Sequence, residues 1–244
     1  MAAWQLRLGA AMIVFSPSIA VLMLLLARRA QLMILTILAA FFWLVAALVA
    51  ALFWRILPDD TAVLMAAVGV IVQEMGRFAL VSVYRRTEKI IIAVSASEES
   101  ITSSPPFLGV AMRFPLNDWS SSLAAGVGFG TMHALIVFGS VLAASEGPAT
   151  LYEGSCCGVP MLLLYAVLAL AFVMLDVMLM CIVFHAERRG DRLMQCFVVG
   201  SHLAASFATL FNQVEEGCTI SLPLLVLVVL VTVLALNRYG ATMH

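Results

Sequence analysis

Apolar runs of about 20 residues or more recur along the chain, near 5–27, 31–56, 61–84, 118–144, 160–184, 193–212 and 220–237. Polar and helix-breaking residues fall mostly between them. Pro58-Asp59-Asp60 closes the second run, Ser103-Ser104-Pro105-Pro106 lies in the longest connection, and Glu146-Gly147-Pro148 ends the fourth. A segment crossing hydrocarbon has no water for its peptide groups, so each run must be a helix that satisfies its own backbone. The pattern predicts an all-α polytopic membrane bundle of seven transmembrane helices, one domain over residues 1–244. Pro160 and Pro223 are expected at helix starts, where a missing N–H costs little. Pro17 lies inside the first run and should kink it. The connection 85–117 is rich in Ser and Glu and reads as a mobile loop. Its Ile90–Val94 run is too short to span. There is no internal repeat and no N-x-S/T acceptor.

Composition strengthens this picture. Of 244 residues, 64% are hydrophobic and 11% charged, where a soluble domain carries about 25% charge. A water-facing fold could not hide that much apolar surface, so lipid is the solvent. A net charge of −1 gives no support to nucleic-acid binding. The five cysteines have no metal-type spacing and do not form a disulfide scaffold pattern. Cys156 or Cys157 could bond Cys218, and the spacing leaves the choice open. The first run, Gly9–Leu26, is followed directly by Arg28 and Arg29, whereas a cleavable signal carries its charge in front. It is expected to be a retained span.

Lys and Arg set the orientation. One set of connections holds Arg28, Arg29, Arg85, Arg86, Lys89, Arg113, Arg188, Arg189, Arg192 and Arg238. The other has Arg7 and Arg55 and collects Asp59, Asp60, Glu146, Glu153, Glu215 and Glu216. The first set is expected to be cytosolic, which places the N-terminus in the lumen or outside the cell and the C-terminus in the cytosol.

Ionisable groups inside the spans are costly and so are candidate functional residues. The third span carries Gln73, Glu74 and Arg77. Glu74 and Arg77 are three apart and share a helix face, so they can pair, either as a structural seam or as a functional site. His133, Asp176 and His202 lie in the next three spans. At about 1.5 Å per residue, Glu74, Asp176 and His202 fall at similar distances from the cytosolic ends, roughly 13–15 Å, and His133 falls deeper, about 22 Å. That suggests a shared polar cluster, although a lone membrane histidine often serves packing alone. His185 reads as interfacial. In the fourth span, Gly126, Gly130 and Ala134 recur every four residues. This small-residue face lets two backbones approach closely, against a partner chain or against another helix of the same chain.

Several stretches resemble the anterior-pharynx-defective family, the scaffold subunit of the gamma-secretase complex. They are Phe41-Phe42-Trp43-Leu44-Val45, Gln73-Glu74-x-x-Arg77-Phe78, Gly126-x-x-x-Gly130 with Gly147-Pro148, Glu187-Arg188-Arg189, and Val199-Gly200-Ser201-His202-Leu203. They occur in order over nearly the whole chain. The resemblance implies a subunit without catalytic residues, cofactor or metal. It also implies partners that are a presenilin-like catalytic subunit, a nicastrin-like subunit and a small presenilin-enhancer-like subunit. The complex would process membrane proteins, including those of Notch signalling, in the endoplasmic reticulum, Golgi and plasma membrane. The family's glycine face continues with a third Gly where this chain has Ala134. Its buried histidine of the fifth span has Asp176 as its nearest counterpart here, and His202 matches directly.

A second class shares some residues. Membrane endoproteases that act on prenylated CAAX proteins use a Glu-Glu…Arg helix, a Phe-x-x-x-His helix and a further His, which Glu74…Arg77, Phe129-x-x-x-His133 and His202 resemble. Gln73 stands where the first Glu belongs, and a neutral amide cannot act as general base. The Glu-to-Arg spacing is also one residue short. A seven-helix zinc hydrolase built on His133, Asp176 and His202 would need a third strong ligand placed by geometry. No Lys for a retinal Schiff base lies in the last span, and neither Gly-x-Gly-Asp nor Gly-x-Ser-x-Gly occurs.

Overall fold

A computed structural model of the chain describes residues 2–56, 62–101, 118–144, 156 and 158–241. The elements are α1 (Ala2–Val21), extended by a π-helical turn at Leu22–Leu26, α2 (Ala30–Trp54), α3 (Ala62–Ile101), α4 (Asp118–Ala144), α5 (Met161–Arg189), α6 (Arg192–Leu210), extended by a 3-10 turn at Phe211–Gln213, and α7 (Cys218–Ala241). Seven helices are long and apolar enough to cross a bilayer, and no strand occurs among the described residues. The chain is an all-α integral membrane protein. The helix-breaking stretches Pro58–Asp60, Ser103–Pro106 and Glu146–Pro148, together with Arg113, Glu153 and Cys157, lie outside the described residues.

Two expectations are corrected here. The connection 85–117 is helical through Ile101, because α3 runs on without a break for 40 residues. A helix of that length spans about 60 Å, roughly twice a hydrocarbon core, so α3 carries its polar C-terminal half beyond the apolar layer. Pro223 sits inside α7 rather than at its start, since the helix begins at Cys218. Pro17 likewise lies inside α1. Pro160 takes the expected place, as the residue that caps α5.

Local chemistry fixes the α5–α6 corner. Gly190 adopts the left-handed conformation at φ 67° that ends α5, a backbone state that costs glycine nothing. The Asp191 N–H returns to the Ala186 carbonyl at 2.9 Å. The Asp191 carboxylate then accepts from the Met194 N–H and caps α6. The two helices are therefore antiparallel neighbours.

α5 is the hub of the bundle and packs on α1, α3, α4, α6 and α7. α4 lies between α5 and α2, its two most extensive partners, and α3 packs on α2, α5 and α6. Burial follows. From Met178 to Ala186 every residue of α5 is buried, whereas α1, α2 and α7 expose long apolar faces such as Leu52, Met23 and Leu234. Those faces suit lipid, where exposed Leu and Ile carry no penalty.

The two ends of the bundle differ chemically. At one end Cys156 is disulfide-bonded to Cys218, across 62 residues of sequence. At the other, an ion belt joins three helices. Arg85 of α3 donates to Asp118 of α4 at 2.9 Å, to Glu88 at 3.0 Å and to the Phe184 carbonyl of α5 at 2.7 Å. Arg188 of α5 donates to Glu88 at 3.0 Å and to Asp118 at 2.7 Å. His185, expected at the interface, is 7% exposed and donates to the Cys181 carbonyl at 2.6 Å. A ring turned back along its own helix satisfies its polar atom and can pack inside.

Candidate functional site

The intramembrane ionisable residues meet. Arg77 Nε donates to both oxygens of Glu74 on the same face of α3, at 3.1 and 3.0 Å. Its Nη2 donates to Asp176 Oδ1 at 2.6 Å and its Nη1 to the Asp176 backbone carbonyl at 3.0 Å. The guanidinium thus ties α3 to α5 by side chain and main chain together. The Phe129 ring of α4 lies under the guanidinium carbon, 4.5 Å from it, which adds a cation–π contact. Arg77 is 0% exposed, Asp176 1% and Glu74 2%, so these are charges removed from both lipid and water.

Each carboxylate also holds a histidine. His202 Nδ1 of α6 lies 2.6 Å from Glu74 Oε1, and His133 Nδ1 of α4 lies 2.8 Å from Asp176 Oδ2. An ionised carboxylate only accepts, so each imidazole carries its proton on Nδ1 and turns Nε2 the other way. Aromatic rings close the surround. Trp43 of α2 stacks on His133 at 5.1 Å, and Phe172 lies 5.3 Å from His133 and 6.1 Å from His202. Five helices, α2 to α6, contribute to one buried network.

The depth of Asp176 needs correction. Counted from the ends of their apolar runs, His133 and Asp176 fall at different levels, yet they are in contact. The ion belt supplies the common origin. α5 runs on to Arg189, and Arg188 pairs with Asp118, the first residue of α4. Measured from that pair at about 1.5 Å per residue, Asp176 is roughly 18 Å deep and His133 roughly 22 Å, a difference a side chain covers.

The glycine face is occupied from within the chain. A Cβ on Gly126 would lie 2.8 Å from Val177 Cα, and one on Gly130 would lie 3.1 Å from the Val173 carbonyl oxygen. Both therefore pack on the backbone of α5. Ala134 is buried with Ala10, Val14, Leu162, Ala166 and Val173, between α1 and α5. A fourth-residue pattern misses Gly128, which is the tightest of the set. Its Cβ would lie 2.0 Å from the Thr36 carbonyl oxygen of α2. Two residues are about 200° apart on a helix, so α4 uses one side for α5 and the other for α2. Trp43, Phe129 and Phe172 were also missed as parts of the site, although Trp43 and Phe129 fall in stretches singled out on other grounds.

A seven-helix membrane protein built around a buried Glu–Arg–Asp–His network, with its central helix pair packed through glycine, is the class these features define. The Aph-1 protein family is matched over residues 6–242, and the chain belongs to that family. Among similar proteins, the gamma-secretase subunit APH1-like of Arabidopsis thaliana is 32% identical over 231 residues, which cover 92% of this chain and 88% of the relative. The gamma-secretase subunit Aph-1 of Drosophila melanogaster is 28% identical over 236 residues, 96% and 92% respectively. The gamma-secretase subunit APH-1B of Homo sapiens is 28% identical over 217 residues, 84% and 78%.

Proposed function

We propose that this chain is a non-catalytic scaffold subunit of a gamma-secretase-type intramembrane protease complex. The single observation that carries the reading is family membership over nearly the whole chain, with relatives named as gamma-secretase subunits. Its partners are a presenilin-like catalytic subunit, a nicastrin-like subunit and a small presenilin-enhancer-like subunit, and the assembled complex cleaves membrane proteins. Residence in the endoplasmic reticulum, Golgi and plasma membrane follows, with the N-terminus on the lumenal side. The disulfide Cys156–Cys218 at one end and the arginine-rich belt at the other support that orientation, because disulfides persist on the oxidising side and Lys and Arg collect on the cytosolic one.

The geometry of the charge cluster also favours a scaffold over the endoprotease alternative. A general base must keep a lone pair for water within hydrogen-bond reach. Glu74 has both oxygens on Arg77 and one of them on His202 as well. Asp176 is bound by Arg77 and His133 in the same way. Both acids are held as structural anions. Gly126, Gly130 and Ala134 then serve assembly by setting the distance between α4 and α5, and so the shape of the surface that partners meet. Purification in mild detergent followed by mass spectrometry tests the reading. Recovery of the three other subunits in constant ratio is expected, and a chain that purifies without them overturns it.

A further inference from the structure

The buried network brings a metal-type set of ligand atoms together. His133, Asp176 and His202 each offer one ligand atom, all within 4.8 Å of one another, from three different helices. Elimination assigns two of those atoms. Asp176 Oδ1 is held by Arg77 at 2.6 Å, so the ligand oxygen is Oδ2, whose hydrogen bond is to His133, another of the three ligands. His202 Nδ1 is held by Glu74 at 2.6 Å, which leaves Nε2. A carboxylate behind the far nitrogen of a histidine is the arrangement that orients metal-bound imidazoles and raises their basicity. His133 Nδ1 faces Asp176 Oδ2 at 2.8 Å, near the spacing of about 3.3 Å between neighbouring ligands of a tetrahedral ion with bonds of roughly 2.0–2.1 Å.

We infer that His133, Asp176 and His202 form a site for a borderline divalent transition ion, zinc above all, which ties α4, α5 and α6 together. Two imidazole nitrogens and one carboxylate oxygen suit zinc and discriminate against calcium and magnesium, which take oxygen donors. Charge agrees. Glu74 and Asp176 against Arg77 leave one net negative charge among buried side chains, and a cation offsets it. Binding at His133 Nδ1 moves the single proton of that neutral imidazole to Nε2, and protons compete with the ion for both imidazoles, so affinity falls as pH drops. Glu74 and Arg77 remain outside the ion as positioning residues, one on His202 and one on Asp176. Trp43 and Phe172 wall the site, and a stacked imidazole keeps its ring plane when its proton is replaced by a metal.

The test uses the full chain, purified in detergent without a polyhistidine tag and checked as monodisperse. After incubation with zinc and gel filtration, about one equivalent per chain is expected by elemental analysis, together with a raised melting temperature. Cobalt in place of zinc should give the visible bands of a low-coordinate nitrogen-ligated ion. His202→Ala should abolish both signals, but that variant could lose them by misfolding. His202→Cys resolves this, because a thiolate in the coordination sphere adds a sulfur-to-cobalt charge-transfer band that no purely structural role creates. A monodisperse chain that retains no stoichiometric zinc overturns the assignment. So does cobalt binding whose spectrum His202→Cys leaves unchanged. Neither result bears on whether the chain co-purifies with protease subunits.

Discussion

Arg77 and Asp176, 99 positions apart, join at 2.6 Å in a site where the arginine has no exposure at all. The guanidinium is shared between this acid and Glu74, and each acid in turn fixes a histidine on another helix. A buried ion pair is weak support for stability, since desolvation consumes most of its attraction. Its value lies in specificity. Four helices must be in register before all of these groups are satisfied, so misassembled bundles leave a polar group unpaired.

Removal of one partner should therefore cost far more than neutralisation in place. Asp176→Ala leaves Arg77 Nη2 and His133 Nδ1 without their acceptor and should destabilise the chain by about 3–5 kcal/mol. Asp176→Asn keeps one oxygen toward Arg77 and should lose less. Thermal melting in detergent, followed by the monodisperse fraction, ranks them. Equal loss for the two variants would show that charge rather than hydrogen bonding decides the site.

The glycines of α4 and α5's neighbours predict an order rather than a single effect. Substitution by alanine should be worst at Gly128, where the Cβ meets a main-chain oxygen of α2 at 2.0 Å, then Gly126 at 2.8 Å, then Gly130 at 3.1 Å. Gly139 has nothing within 4 Å, and there alanine should be neutral or stabilise by roughly 0.5–1 kcal/mol, because glycine is a poor helix former. Folded yield and melting temperature across the four variants check the order. A Gly128→Ala chain that matches Gly139→Ala would show that α2 and α4 separate beside Thr36 at little cost.

In the ion belt, the two arginines should behave differently. The Arg188 side chain is 49% exposed, so Arg188→Ala should cost less than about 1 kcal/mol and salt should screen it. The Arg85 side chain is 12% exposed and also binds the Phe184 carbonyl. Its loss leaves partly buried acceptors unmet and should cost roughly 1–3 kcal/mol, with little dependence on salt. Melting curves at low and high salt separate the two.

Topology predicts a further pair of results. The termini should lie on opposite sides of the membrane, the N-terminus lumenal, as accessibility of tags at each end would report. Cys156–Cys218 should form on the N-terminal side's compartment, and Cys218→Ser should lower stability by up to about 2–4 kcal/mol through the longer free loop of the unfolded chain. Both termini on one face would overturn the seven-span arrangement.

How much of this could be read from the chain depends on sequence distance. Glu74 and Arg77 are legible as a pair because helix periodicity alone places residues three apart on one face. Arg77 and Asp176 are not, because nothing local says which helices become neighbours. Counting from the ends of apolar runs places Asp176 too shallow, since such a run marks where lipid contact stops and not where a helix ends, and α5 runs on to Arg189. The same confusion hid the second half of α3. Glu88 and Lys89 end the apolar pattern, yet a helix that leaves lipid for water keeps its backbone satisfied and has no reason to stop. Gly128 was hidden by the search for one small face, when α4 needed two.

The chain alone should hydrolyse no peptide, prenylated or otherwise, with or without added zinc. The case is geometric. The endoprotease reading assigns Glu74 as the base that activates water, with His133 and His202 to orient it or to stabilise the oxyanion. Glu74 accepts from Arg77 with both oxygens and from His202 with one, and it is 2% exposed. Water that entered would have to displace a charge-assisted hydrogen bond, which is among the stronger interactions in a protein interior. Gln73, the neighbour that would have to supply a second carboxylate, is an amide. The two histidines hold carboxylates rather than an activated hydroxyl, His133 bonded to Asp176 and His202 to Glu74. The measurement is hydrolysis by the purified subunit, compared with His202→Ala and Glu74→Gln. Turnover that both substitutions abolish would overturn the scaffold reading. Absence of turnover alone, with cleavage gained when the chain is reconstituted with the three other subunits, is the expected result.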